Sequence, residues 1–500
     1  MTSMTAVEVR DRLDDRFRLL VGSRRGPQHH HTLRNAVQWS YDLLDDAEKT
    51  LLTRCSVFAG GFDLAGACGV SGSDDEFATL DLLDALVRKS LLVADRSSGR
   101  TRFSMLETIR QFADDQLVTR GEADEVRAAH ARHFASRETE VLALWDSPRQ
   151  REAYTWFDVE LANLRAAFRW AADHSDLDTA ATIAVYAALI GFRVYQYEPV
   201  GWAEELLEPA QAVEHRRLAQ LYVMATQCYT TGRINDSLGY AEASRAALDS
   251  GRYDPVTHEF ETWLGGGFLM TGQPERWVEW CRTVIARTPG VHTFTRSVLV
   301  ITLTAAGAVD EAIAASHGLL AAADATDNPM MACFALFAYS YAYRDADSAA
   351  AYEVARRGLR IAQDSGNRQV EALLASVLSR LAAARGDPTD AFDYLTLAIR
   401  RYDSANVSLM SGPLASLAFI FDRLGHHEPA ATISGFAATP YTRAVVPEIT
   451  TTISHLRDVL GDQTYESLAR KGETMTTAAM VTYAFDQIDQ ARIKLNEVSK

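Results

Sequence analysis

Nothing in these 500 residues spells out a catalytic centre. There is no Gly-x-x-x-x-Gly-Lys-Ser/Thr stretch and no strand-borne Gly-x-Gly-x-x-Gly, so no backbone cradle for phosphates is offered. No Gly-x-Ser-x-Gly elbow and no His-Glu-x-x-His pair occur, which removes two common hydrolase arrangements. The five cysteines, Cys55, Cys68, Cys228, Cys281 and Cys333, are scattered, odd in number and without a Cys-x-x-Cys. They read as small buried hydrophobes in a reducing compartment. No apolar run approaches the roughly 20 residues needed to cross a bilayer. Met1 to Arg18 mixes acids and bases and lacks the apolar core of a signal peptide. The expectation is a cytoplasmic protein that is not an enzyme, with no cofactor, no metal and no membrane contact.

Positive charge is short as well. The formal net charge of −16 opposes general binding to nucleic acid or anionic membranes. The deficit is uneven. Residues 1–120 hold 16 Lys+Arg against 18 Asp+Glu, so they are near neutral and the remainder carries the excess acid.

What the chain does have is material for packed cores, with 47% hydrophobic and 23% charged residues. Its length calls for more than one domain or a repeat array. Val7 to Leu20 places Val9, Leu13, Phe17 and Leu20 at helical spacing, and Gly22-Ser23-Arg24-Arg25-Gly26-Pro27 breaks that helix. His29-His30-His31 invites a metal reading. Three consecutive residues cannot converge on one ion from one helix face, and no neighbouring ligand completes a shell, so a solvated linker is favoured.

Residues 32–120 then form an organised block. Leu33, Val37, Tyr41 and Leu44 share one face of a helix. Asp45 stands three before Glu48, a capping-box start for a helix carrying Leu51, Cys55 and Phe58. Asp75 to Lys89 is a third helix, with Phe77, Leu80, Leu83 and Val87 expected inward. Leu91–Asp95 and Thr101–Met105 flank Arg96-Ser97-Ser98-Gly99-Arg100, a strand–turn–strand pattern, and Leu106 to Leu117 closes the block as a helix. Helices finished by a hairpin wing make a winged helix-turn-helix domain. Its third helix is a poor reader of DNA, because Asp74, Asp75, Glu76, Asp81 and Asp84 outnumber Arg88 and Lys89. The wing residues Arg96, Arg100 and Arg102 could at most reach phosphates. These five cations are the candidate contacts to DNA or to a partner.

From Gly121 onward helical periodicity dominates, and a turn pattern recurs. Gly-x-x-x-x-Ala/Ser appears at Gly232–Ser237, Gly307–Ala312, Gly386–Ala391 and Gly425–Ala430, with weaker versions at Gly272–Trp277 and Arg344–Ala349. The near-constant spacing fits one helical hairpin per repeat, stacked as a tetratricopeptide-like α-solenoid. The glycine is expected to let the two helices of a hairpin approach, with the small residue at their crossing. Gly265-Gly266-Gly267 falls inside this array and is expected to loosen a helix. Trp156, Trp170, Trp202, Trp263, Trp277 and Trp280 serve either as core staples or as the lining of a groove.

From Asp11 to Ala171 the chain resembles the downstream half of large bacterial regulators of the STAND class. The residues that carry this are Leu13–Leu20, Thr32-Leu33-Arg34 with Trp39–Leu44, Ser56–Phe62, Leu106–Arg110 and Glu160–Ala167, in that order. In such proteins an NB-ARC-type ATPase precedes a winged helix and tetratricopeptide-like repeats, and some end in a LuxR-type DNA-binding domain. The resemblance implies that residues 1–31 are a remnant of the ATPase module's last helix with a linker. It implies a winged helix at 32–120 and a solenoid at 121–500. No P-loop lies within these residues, and an ATPase supplied in trans is one way to provide it. Where the class has Met-His-Asp touching nucleotide, this chain has Met105-Leu106-Glu107, and Leu106 cannot donate a hydrogen bond.

These features point to a mainly α protein acting as a non-enzymatic regulatory scaffold. The repeats would bind a protein partner, and the winged helix would pack on an ATPase module supplied in trans. The alternatives are a DNA-binding transcriptional regulator and the trans-acting half of a split STAND signalling ATPase.

Overall fold

A computed structural model describes residues 27–73, 75–97, 100–256, 259–287, 292–405 and 408–498. The expected helix over Val7–Leu20 lies outside the described residues, as do the side chains of His29–His31. The chain divides into two compact units, one ending at Thr139 and taking in Trp156–Ile183, the other formed by Glu140–Thr155 and Ala184–Lys500.

The first unit is a winged helix-turn-helix domain with added helices. Helix α1, Pro27–Asp42, begins within the tract expected as linker. Helix α2, Asp46–Arg54, starts at a capping box: Glu48 N–H donates to Asp45 Oδ1 at 2.8 Å and Asp45 N–H to Glu48 Oε2 at 2.9 Å. A 3₁₀ turn, Cys55–Val57, leads into a loop whose Phe62 exchanges two backbone hydrogen bonds with Phe103, at 2.8 and 2.7 Å. Asp63 then caps a short helix, α3, Leu64–Ser71, and Asp75 caps α4, Glu76–Arg88. The wing is β1, Val93–Asp95, antiparallel to β2, Arg102–Ser104, with Ala94 opposite Phe103. Helices α5, Glu107–Thr119, and α6, Ala123–Ser136, complete the series.

Two expectations change here. Helix α3 carries small residues without an apolar stripe, so it gave no periodic signal. In α4 the buried face is Thr79, Leu83 and Leu86, while Phe77 is 82% exposed. Phe77 stands two residues before Thr79, about 200° around the helix, so once Thr79 turns inward Phe77 must face water.

The second unit is the α-solenoid. Its first helices, Thr293–Ala305, Pro329–Tyr343, Arg368–Ala384 and Ser411–Arg423, pack side by side, and each is followed by an antiparallel second helix. Two earlier hairpins, entered through the 3₁₀ segments Thr226–Thr231 and Phe260–Gly265, precede them. The recurring turns fall between the two helices of each hairpin, as the spacing predicts. The reason for the glycine differs from the one expected. Gly386 and Gly425 sit at φ +80° and +79°, and a Cβ added at either would meet nothing within 4 Å. Left-handed backbone selects glycine there, not close approach. The buried small residues Ser237, Ala312, Ala391 and Ala430 do lie at the crossings. The Arg344–Ala349 slot departs from the pattern: Arg344 is right-handed helical, Ala349 is exposed and Ala351 is buried instead. Close approach appears elsewhere. A Cβ on Gly472 would come within 1.8 Å of Thr432 O, so helices His427–Ala437 and Asp462–Glu473 cross backbone against backbone.

Each unit buries polar side chains that its packing has to satisfy or keep neutral. In the second unit, Gln150 donates to Asn328 Oδ1 at 3.0 Å and accepts from Asn367 Nδ2 at 2.7 Å. Tyr154 donates to Asn367 Oδ1 at 2.6 Å and accepts from Trp145 Nε1 at 3.0 Å. Asn328 and Asn367 each precede the first helix of a repeat, so the segment around Gln150 ties two repeats at their helix starts. In the first unit, His130 is buried between Phe58 and Phe134, with ring centroids 4.9 Å from each. Burial, reinforced by nearby His133, holds its imidazole down to about 3.

That shift sets a pH dependence. An unfolded imidazole takes up a proton near pH 6.5, whereas folded His130 resists until about 3. Between those values the unfolded chain binds more protons, so stability of the first unit falls as pH is lowered from 6.5 towards 3. Hydrogen exchange of α2–α6 at pH 7 and pH 4.5, corrected for intrinsic rates, measures the loss. His130→Leu is expected to flatten that dependence; an unchanged pH slope counts against the assignment.

Candidate functional site

The five cations expected to contact DNA or a partner are not all held in the same way. Lys89 donates to both oxygens of Glu48 at 2.5 Å, so it reinforces the capping box of α2. Arg102 pairs with the carboxylate of Glu160, and its Nη2 donates to Gly61 O at 2.7 Å. Arg88, Arg96 and Arg100 are exposed. Two of the five are therefore engaged in holding the domain together. The outward face of α4 presents Glu76, Phe77 and Asp81. Leu106 occupies the N-cap position of α5 without a side-chain hydrogen bond and is exposed.

Arg102 belongs to a polar cluster that joins two sequence motifs about 100 residues apart. Asn163 Oδ1 accepts from Ala59 N–H at 2.8 Å and Gly60 N–H at 3.2 Å. Its Nδ2 donates to Gly61 O at 3.0 Å and Glu160 Oε2 at 2.6 Å. Glu160 and Asn163 are both buried.

In the solenoid, the first helices of four hairpins line a partly open cavity of about 130 Å³. Ile301, Phe334, Phe337, Leu373, Val377 and Pro413 supply much of its apolar wall, joined by Trp263 and Trp277 from the preceding hairpin. The helix Pro440–Val445 closes one side with Tyr441 and Val445. It is held by Tyr341, whose hydroxyl donates to Val445 O at 2.9 Å. Among the described lining residues only Arg380 is charged, and it is paired with both oxygens of Glu448 at 3.2 Å. Burial raises the Tyr341 phenol above its ordinary value, so it stays neutral. Behind the wall, Arg193 is buried with its guanidinium 4.2 Å from the Trp263 ring centroid and donates to Gln369 Oε1 at 2.9 Å. Burial lowers Arg193 to about 10, which leaves it charged at neutral pH and held mainly by aromatic faces.

The tryptophans divide between the two roles. Trp277 and Trp280 donate their indole N–H groups to Thr262 O at 2.7 Å and Glu261 O at 2.8 Å, as staples do. Trp263, stacked on Phe294 at 5.3 Å, is both staple and lining. Gly265 and Gly266 stand where a 3₁₀ segment becomes α-helix, because the Trp277 and Tyr229 rings pack on their backbone. Trp263 and Trp277, two of the tryptophans expected as staples or groove lining, both line the cavity, and Trp277 is a staple as well. Phe334, Phe337 and Tyr341 recur at helical spacing, but so do residues of an ordinary core.

Residues 44–118 match the profile of the winged helix-turn-helix domain. A Mycobacterium tuberculosis protein provisionally named as an HTH-type transcriptional regulator is 39% identical over 241 residues, 46% of this chain and 27% of that protein. An uncharacterized protein of the same organism is 40% identical over 136 residues, 26% of this chain and 35% of its own length. The chain thus matches about a quarter to a third of the length of these relatives. Among solved structures, a STAND protein with a tetratricopeptide repeat sensor from Pyrococcus horikoshii gives a TM-score of 0.34 at 14% identity, over 90% of this chain and 58% of that one. A Rap protein complexed with competence and sporulation factor gives 0.39 at 12%, over 73% and 99%.

The arginine geometry separates a structural role from a surface one. Removing Arg102 strands the buried Glu160 carboxylate, so Arg102→Met is expected to destabilise the first unit by roughly 2–4 kcal/mol. Arg96→Ala is expected to change stability by less than about 0.5 kcal/mol. Urea unfolding of the two variants checks this; equal stabilities would remove Arg102 from the framework.

Proposed function

We propose that this protein is a non-enzymatic regulatory scaffold whose helical repeats hold a protein partner. The observation that carries this reading is the cavity on the first helices of four successive hairpins. Its size matters. A cavity of about 130 Å³ is close to the roughly 150 Å³ that accommodates a benzene ring. That suits the anchor side chain of a partner, an aromatic or a branched aliphatic, and is small for a dinucleotide or flavin. Buried apolar anchors with a few fixed polar groups are what dominate protein interfaces.

In this reading the winged helix packs against protein. Its outward helix offers acids and Phe77, and Trp39 on α1 and Leu43 just after its end are both exposed. Both support apolar docking better than contact with phosphates. A P-loop ATPase acting in trans is one partner of this kind. If such a module docks, Leu106 offers no hydrogen bond to its nucleotide. The alternative is a DNA-binding transcriptional regulator, favoured by the winged-helix match and by the name given to the mycobacterial relatives. It would rest on Arg88, Arg96 and Arg100.

A cavity-filling substitution tests the choice without emptying the core. Ser376 lines the cavity and is half-buried, so Ser376→Phe places a ring where the anchor would sit. Complexes captured from the native cell after nuclease treatment are expected to lose their partner at least tenfold with Ser376→Phe. They are expected to keep it when Arg96 and Arg100 are both changed to Ala. A salt-dependent shift of duplex DNA, lost in that double arginine variant, would overturn the scaffold reading for the regulator.

A further inference from the structure

We infer that Asp422, His427 and His455 form a binding site for a divalent transition-metal ion of the Zn²⁺ type. The three residues come from three helices. Asp422 is near the end of Ser411–Arg423, His427 opens His427–Ala437 across the turn at Gly425, and His455 lies on Glu448–Leu460. The turn makes the first pairing: it reverses the chain within five residues and returns His427 to the carboxylate. Packing of the third helix supplies the second.

The geometry is convergent. His427 Nδ1 lies 3.1 Å and His455 Nδ1 2.9 Å from the same oxygen, Asp422 Oδ1. His455 Nδ1 is also 3.0 Å from Oδ2, and one donor atom from each residue lies within 4.8 Å of the others. A neutral imidazole carries its proton on either nitrogen. With both protons on Nε2, two nitrogen lone pairs and one carboxylate oxygen surround a common point. Bonds of about 2.0–2.2 Å at tetrahedral angles place donor atoms roughly 3.4 Å apart, so each of the two histidine–Asp422 spacings has to open by a few tenths of an ångström.

The donor set selects the ion. Two imidazoles with one carboxylate suit Zn²⁺ and its transition-metal neighbours, whereas Mg²⁺ and Ca²⁺ favour oxygen shells. Three protein ligands leave a fourth position for water. The side chain of Asp422 is 9% exposed, His427 27% and His455 54%, which gives a fixed floor and an open approach. A bound ion would clamp the last repeat hairpin to the helix that also carries Glu448, the partner of Arg380 in the cavity wall. The inference does not rest on what the cavity binds.

The test uses the full chain stripped of metal by a chelator. Titration with Co²⁺ is expected to take up one saturable equivalent with visible absorption, displaced by Zn²⁺. Saturating Zn²⁺ is expected to raise the melting midpoint by roughly 2–4 °C. His455→Gln, at the exposed position, should keep the helical content and weaken Co²⁺ affinity at least tenfold. His427→Gln should do the same, while Ser376→Phe leaves binding unchanged. Absence of a saturable equivalent overturns the site. So does binding that survives both histidine changes but disappears when His29, His30 and His31 are replaced by Ala.

Discussion

Asn163 fastens an irregular loop whose ends, Phe58 and Phe62, are buried while Ala59 and Gly60 between them are exposed. Between Phe58 and Phe62 the chain passes through the first unit without joining a sheet, apart from the bridge of Phe62 to Phe103. Its amides at Ala59 and Gly60 and its carbonyl at Gly61 belong to no helix or strand, so a side chain has to fix their direction. The carboxamide of Asn163 meets all three, accepting twice and donating once, as a neighbouring strand would. Glu160 orients that amide from one turn earlier, and Arg102 reaches from the wing to the same carboxylate and the same carbonyl. One buried cluster therefore sets the loop, the wing and the helix Gln150–Asp173 in register.

The same cluster also fixes where the strand cation of the wing points. A wing meant to grip phosphates keeps its cations in water, where they exchange one counterion for another. Here the strand cation nearest the core is committed to a buried carboxylate, and Lys89 is committed to the cap of α2. Withdrawing either to meet DNA would leave Glu160 or Glu48 uncompensated in a site nearly closed to water. The domain keeps the architecture of a DNA reader while spending part of its charge on its own stability.

Much of this was readable from local chemistry. Asp45 with Glu48 announces a capped helix, the Arg96–Arg100 turn announces the wing, and glycines at regular spacing announce the hairpins. All three rest on short-range rules, where one or two residue types dictate backbone geometry. What escaped depends on distant neighbours. Helix α3 is held by the Asp63 cap and by packing, with no stripe to reveal it. The orientation of Phe77 follows from Thr79 turning inward, and the engagement of Arg102 depends on a residue 58 positions away. The cavity is less legible still, since a wall residue and a core residue share the same apolar spacing.

The solenoid shows why such a void persists. Stacked hairpins bury their small residues at the crossings, so neighbouring first helices are spaced by Ala and Ser while larger side chains project from the inner face. On that face Phe334 meets the rings of Trp263 and Phe294 from earlier hairpins, while Phe337 and Tyr341 stack along its own helix beside the cavity. Filling the gap from within requires larger residues at positions such as Ser376 and Gly412, where the chain carries two of its smallest. An empty apolar cavity forgoes contacts and costs stability in proportion to its volume. The short helix Pro440–Val445 closes one side of this gap and is fixed there from several directions: Val445 O accepts from Tyr341 at 2.9 Å and from Arg380 at 3.4 Å, and Thr442 Oγ1 donates to Ala437 O at 2.6 Å.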